Sequence, residues 1–131
     1  MLIWLLLVVA TESRGQLVTD YQTLISNLRA TGAVVTPAGQ IVQPFFSVKG
    51  RIVKVLGEDV QVFQYADQKT ADAQAAQVSP KGTSVGGSAI SWVATPHFYK
   101  RSKVVVVYVG DNEKVLKLLI EALGEQFAGQ D

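Results

Sequence analysis

At 131 residues the chain can bury one hydrophobic core but not two, and its 48% hydrophobic and 18% charged content is that of a single globular domain. A net charge of +1 supplies no long-range field to steer nucleic acid or an anionic membrane surface. There is no cysteine, which excludes a thiol nucleophile, a lipid-accepting cysteine, disulfides and every cysteine-containing zinc site.

The chain begins with an apolar run from Leu2 to Ala10 that stops abruptly in polar residues. As a helix the run would span about 14 Å against roughly 30 Å of bilayer hydrocarbon, so no stable transmembrane anchor is expected from it. Its length fits the centre of a secretory signal, and Ser13 and Gly15 place small side chains for cleavage before Gln16, with Val8 and Ala10 marking a second site. The expected organisation is a signal over residues 1–15 and one domain over 16–131, outside the cytoplasm as a secreted, periplasmic or envelope protein. No basic residue precedes the run, however, and if it is retained it becomes part of the fold of a cytoplasmic protein.

Leu17, Val18, Tyr21, Leu24, Ile25 and Leu28 recur at helical spacing and predict an amphipathic helix, with Gly32 placed for a left-handed C-terminal cap. Thr36-Pro37-Ala38-Gly39 between two β-branched pairs predicts a tight turn within a short hairpin or looped arm. From Phe45 onward, Phe46, Val48, Ile52, Val53 and Val55 predict a strand bulged at Gly50, which turns at Gly57-Glu58-Asp59 into a second strand ending near Tyr65. Asp67 is placed to cap an alanine-rich helix halted by Pro80, and the Gly/Ser-rich stretch from Ser79 to Ser88 predicts a flexible loop. A second hairpin is expected from Ile90 through Tyr99, turning at Lys100-Arg101-Ser102 into Lys103 to Val109, with Pro96 confining the first strand to an edge or bulge. Asp111 is placed to cap a last helix, from about Asn112 to Leu123, closed by Gly124.

VQVFQYAD ending at Asp67 and VVVVYVGD ending at Asp111 look alike, yet beyond the aspartate little is shared, and common strand-turn-helix chemistry explains the likeness as well as duplication does. The predicted fold class is α+β: a two-layer domain with an antiparallel sheet of four to five strands from two hairpins, and three helices, in the order α-ββ-α-ββ-α. Because Val104 to Val109 is apolar on both faces, that strand is expected at the centre with both faces covered. A bare face would instead form an apolar patch for a partner or a homodimer.

His97 is the one histidine and the one side chain suited to acid-base work near neutral pH, but no acid neighbours it in its strand. It is expected to be half-exposed beside Pro96 and dispensable for folding. One histidine and scattered carboxylates predict no metal site, and no cofactor is expected. KGTSVGGS lacks the spacing of a phosphate-binding loop. Lys49, Arg51, Lys54, Lys100, Arg101 and Lys103 interleave with Phe45, Phe46, Phe98 and Tyr99, a pattern shared with single-strand nucleic-acid binders. Lysines that protect strand edges beside a very β-prone segment account for it more simply, so nucleic acid is not favoured. The candidate ligand or partner contacts are His97, Phe98, Tyr99, Phe45, Phe46, Lys100 and Arg101, although the aromatics fit a core equally.

QPFFSVKG, QVFQYAD, WVATPHFYK, VVVVYVGD and LGEQFAG together resemble small exported bacterial proteins and lipoproteins of uncharacterised function, over most of the chain after residue 15. The resemblance implies no activity and no site residue, and this chain departs from the lipoproteins in lacking their cysteine. The expected function is a non-catalytic binding or accessory module whose partner is a protein or envelope component. The rivals are a small hydrolase-like enzyme using His97 with Tyr99, and an intracellular protein- or nucleic-acid-binding module.

Overall fold

The computed structural model describes residues 17–130, so the apolar run, its cleavage points and Gln16 lie outside the described residues. The predicted α+β class is found: three helices and an antiparallel sheet of six strands, with a separate two-stranded ribbon. The strand count exceeds the four or five expected.

Helix α1 (Tyr21–Ala30) follows its predicted stripe, burying Tyr21, Leu24, Ile25 and Leu28, but starts later than the sequence pattern suggests, leaving Leu17 64% exposed. Asp20 caps it, accepting from the Thr23 N–H at 2.8 Å while the Thr23 hydroxyl accepts from the Asp20 N–H. Gly32 has the positive φ expected of it. Strand β1 (Val35–Ile41) then runs straight through Thr36-Pro37-Ala38-Gly39, where a turn was expected. Pairing with β2 (Gly50–Val55) holds the segment extended, and the irregularity becomes a bulge between Pro37 and Gly39. Pro37 is tolerated because β1 is an edge strand. Arg29 donates to the Val35 carbonyl at 2.8 Å, covering one acceptor of this edge.

Phe46 and Val48 do not belong to β2; they sit in an irregular segment, and β2 begins at Gly50 without a bulge. Glycine is needed there for packing, since a Cβ would stand 2.5 Å from the Phe63 ring. The turn into β3 (Glu58–Gln64) is Leu56-Gly57, one residue earlier than expected, and both residues have positive φ as a two-residue hairpin requires. Asp67 caps α2 (Gln68–Ala75) as predicted, with its carboxylate held below the usual range by hydrogen bonds from Thr70. The helix ends at Ala75, well before Pro80.

The Gly/Ser-rich stretch holds a small ribbon, β4 (Ser84–Val85) and β5 (Ser88–Ala89), turned by Gly86-Gly87. Ile90 to Thr95 is not a strand: β6 (Pro96–Arg101) begins at the proline and turns at Ser102-Lys103 into β7 (Val104–Val109). Asn112 rather than Asp111 caps α3 (Glu113–Leu123), its side-chain carbonyl accepting from Lys114 and Val115. Gly124 closes that helix, and β8 (Ala128–Gly129), with no counterpart in the sequence reading, pairs with His97 and Phe98.

The sheet order is β1-β2-β3-β7-β6-β8, so β7 is internal as predicted. Val104, Val106 and Tyr108 pack with α1 and α3, while Val105 and Val107 pack with Phe63, Phe98, Ala71 of α2 and Phe46. To the expected layers of sheet and helices is thus added a thinner cover of α2 and irregular chain on the second face. No bare valine patch is left on β7. The two similar octapeptides are adjacent strands whose helices leave to opposite faces; a two-fold axis normal to the sheet would put both on one face.

Candidate functional site

His97 is 2% exposed, not half-exposed as expected. Its Nδ1 lies 2.7 Å from the Gln126 side-chain carbonyl and its Nε2 3.0 Å from the Gly110 carbonyl, while the ring stacks on Tyr108. Both ring nitrogens are therefore engaged, and neither partner is a carboxylate. Tyr99, two residues along the same face, is 0% exposed, and its hydroxyl has no hydrogen-bond partner among the described residues. Burial, followed by the nearby Glu125 and Tyr108, pushes that hydroxyl up to about 12. Thus the pair proposed for hydrolysis is buried in the core, and His97 meets no carboxylate among the described residues.

The remaining candidates separate. Phe98 and Phe46 are buried on the second face, in ring clusters with Trp92 and Phe63 respectively. Lys100 is committed to Asp72 of α2 at 2.6 Å, and Arg101 is half-buried at the end of β6. Arg51 lies over the Tyr21 ring at 4.2 Å and Lys54 pairs with Asp59 at 2.7 Å. Because β3 and β7 stand between β2 and β6, the two basic clusters are roughly 14 Å apart across the sheet and form no common platform. Phe45 borders a groove.

That groove lies on the second face, where cover is irregular. One wall is Gln43-Pro44-Phe45 and the other is Val85 to Ser91, enclosing about 580 Å³. Through Gln43, Ile90 and Ser91 it continues into a hollow of about 400 Å³ bordered by Asp59, Gln61, Trp92 and Val93. The walls are fixed from behind. Gln74 of α2 accepts from the Ser47 N–H at 3.0 Å and the Tyr65 hydroxyl at 3.3 Å, and Gln43 donates to Gln61 at 3.0 Å. The Trp92 indole N–H donates to the Gly82 carbonyl at 2.6 Å, and the ring meets Phe45 and Phe98 edge-on. Val93, at the rim, is 100% exposed.

Sequence reasoning missed most of this lining because it treated Ile90 to Thr95 as a strand and Ser79 to Ser88 as a loose loop. The available signal was Trp92 next to Val93, two large apolar residues before a proline. Among the described residues no group of histidine, aspartate and glutamate side chains is placed to hold a metal, and no helix is long and apolar enough to cross a membrane. Comparisons with protein-family models, with curated proteins and with solved structures each find no match for this chain.

Proposed function

We propose that the protein is a non-catalytic binding module that takes its ligand in the groove between Gln43-Pro44-Phe45 and Ser88 to Ser91, and that it works outside the cytoplasm in or on the cell envelope. The observation that carries this reading is a contrast of side chains. The groove is walled by amides, hydroxyls and apolar groups, the chemistry of recognition, whereas the one histidine is buried with both nitrogens engaged. The compartment rests on the apolar run from Leu2 to Ala10.

Isotope-labelled protein screened by nuclear magnetic resonance against small amides, peptides and sugars tests the site. Shifts concentrated at Phe45, Ala89 and Ser91 are the expected result. Turnover of ester or peptide substrates that disappears in a folded His97→Gln variant would overturn it. Mass spectrometry of protein recovered from its native host tests the compartment: a mature N-terminus near Gln16 is expected, and an intact Met1 in a cytoplasmic fraction would overturn it.

A further inference from the structure

We propose that the groove takes an extended peptide segment bearing a basic side chain, added as a strand to the free edge of β5. This rests on the binding-module reading and names its ligand.

The free edge follows from the ladder of the small ribbon. Val78 bridges Val85, so β4 has a neighbour on each side, whereas β5 has only one among the described residues. The Ile90 N–H donates to the Thr83 carbonyl at 2.9 Å, which makes Ile90 an inward-bonding residue. By the alternation of an antiparallel ladder, Ala89 directs its N–H and C=O away from β4. Its cross-strand partner Ser84 does the same on the far side, and there both groups are satisfied: the carbonyl accepts from the Ser79 N–H and the N–H donates to the Ser79 hydroxyl. Ala89 is exposed, lines the groove, and has no such counterpart among the described residues. The N–H and C=O of Ala89, both turned outward from β4, are the donor and acceptor that one residue of an added strand pairs with.

Charge decides the kind of peptide. Besides the hollow bordered by Asp59, a second hollow of about 500 Å³ adjoins the groove at Ile90 and runs past Trp92, Val93 and Pro96 to Asp111; Asp59 and Asp111 are the charged residues lining these three spaces, and no lysine or arginine joins them. Asp59 shares Lys54, but Asp111 makes no ion pair among the described residues. A cation is complementary to this rim, and the fully exposed Val93 beside it offers contact for an aliphatic stem. The aromatic rings argue against a sugar: Phe45 and Trp92 spend their geometry on each other edge-on, and the indole N–H is already bonded.

The test titrates labelled full-length protein with acetyl-Val-Lys-Val-Lys-Val-amide. The largest shifts are expected at the Ala89 and Ser91 amides, and N-methylation of alternate peptide nitrogens is expected to weaken binding about tenfold, as is replacing lysine by glutamate. Asp111→Asn is expected to weaken the lysine peptide about threefold and leave a glutamine analogue unchanged. Binding indifferent to N-methylation, or tighter binding of the glutamate peptide, would overturn the proposal. Shifts in the groove from maltotriose with none from the peptides would overturn it too, while leaving the binding-module reading intact. Silence of the groove toward peptides, sugars and fragments alike would remove both.

Discussion

The two faces of the sheet are built from the same valine-rich strand and closed by different means. On the first face α1 and α3 lay continuous aliphatic stripes, Leu24, Ile25 and Leu28 with Val115, Leu119 and Leu123, over Val104 and Val106. On the second, the eight-residue α2 buries only Ala71 and Ala75, and the cover is completed by Val85 of the small ribbon and by residues of irregular chain, among them Phe45, Phe46 and Trp92. A helix satisfies its own backbone and presents an unbroken apolar stripe, so it seals. Irregular chain must bond each backbone group separately and reaches the sheet through isolated rings, so it leaves the gaps that become a groove. The groove is on the face that helices cover least.

Lysine at Val106 and lysine at Val107 ask whether the looser cover still closes the core. Both variants are expected to lose more than about 4 kcal/mol and to fail to fold by circular dichroism, because either face buries an unpaired charge. A folded Val107→Lys protein would mean that the irregular cover is dispensable. His97 lies under the closed face, and His97→Ala is expected to cost about 3 kcal/mol in urea unfolding, through lost packing and lost hydrogen bonding to Gln126 and Gly110. A cost within about 0.5 kcal/mol, ordinary for surface sites, would refute its burial.

Tyr99 and Tyr65 place one buried hydroxyl beneath each face, and both are raised from their ordinary value by burial. The unfolded chain ionises them near 10, so this stabilisation is complete below about pH 10 and is lost as pH climbs toward 12, at about 1.4 kcal/mol per pH unit for each ring. Urea midpoints measured across that range should fall, with phenolate absorbance appearing together with unfolding. Trp92→Ala is expected to cost about 2 kcal/mol and to speed amide exchange between Gly82 and Thr95 while α1 and α3 stay protected. The smallest effect separates the two hydroxyls. Tyr99→Phe removes an unpartnered group and should be neutral or stabilising by up to about 1 kcal/mol, whereas Tyr65→Phe loses its bond to Gln74 and should destabilise by about that amount.

Of the candidate site, Phe45 was legible in the sequence; His97, Phe98 and Tyr99 were conspicuous for the reason that places them in the core. Aromatic and imidazole rings near a proline look the same whether they face a ligand or each other until the neighbouring strands are known. The basic residues misled similarly, because proximity along two hairpins says nothing about the two strands lying between them.

What the sequence alone determined is what residues a few positions apart decide together. The stripe of α1, the cap at Asp67, the stops at Gly32 and Gly124 and the internal position of β7 all follow from helical spacing, left-handed φ or two-sided apolarity. Tertiary structure decided the rest. Thr36-Pro37-Ala38-Gly39 is a turn by its local chemistry and a strand because β2 pairs with it. The two-residue β8 exists only because β6 offers it an edge. The octapeptides ending at Asp67 and Asp111 carry one local pattern, yet capping falls on Asp67 in one and on Asn112, one residue later, in the other, and their helices cross to opposite faces. Which face a helix covers is settled by the apolar surface other segments leave open, and that non-local quantity is what gave the second face its groove.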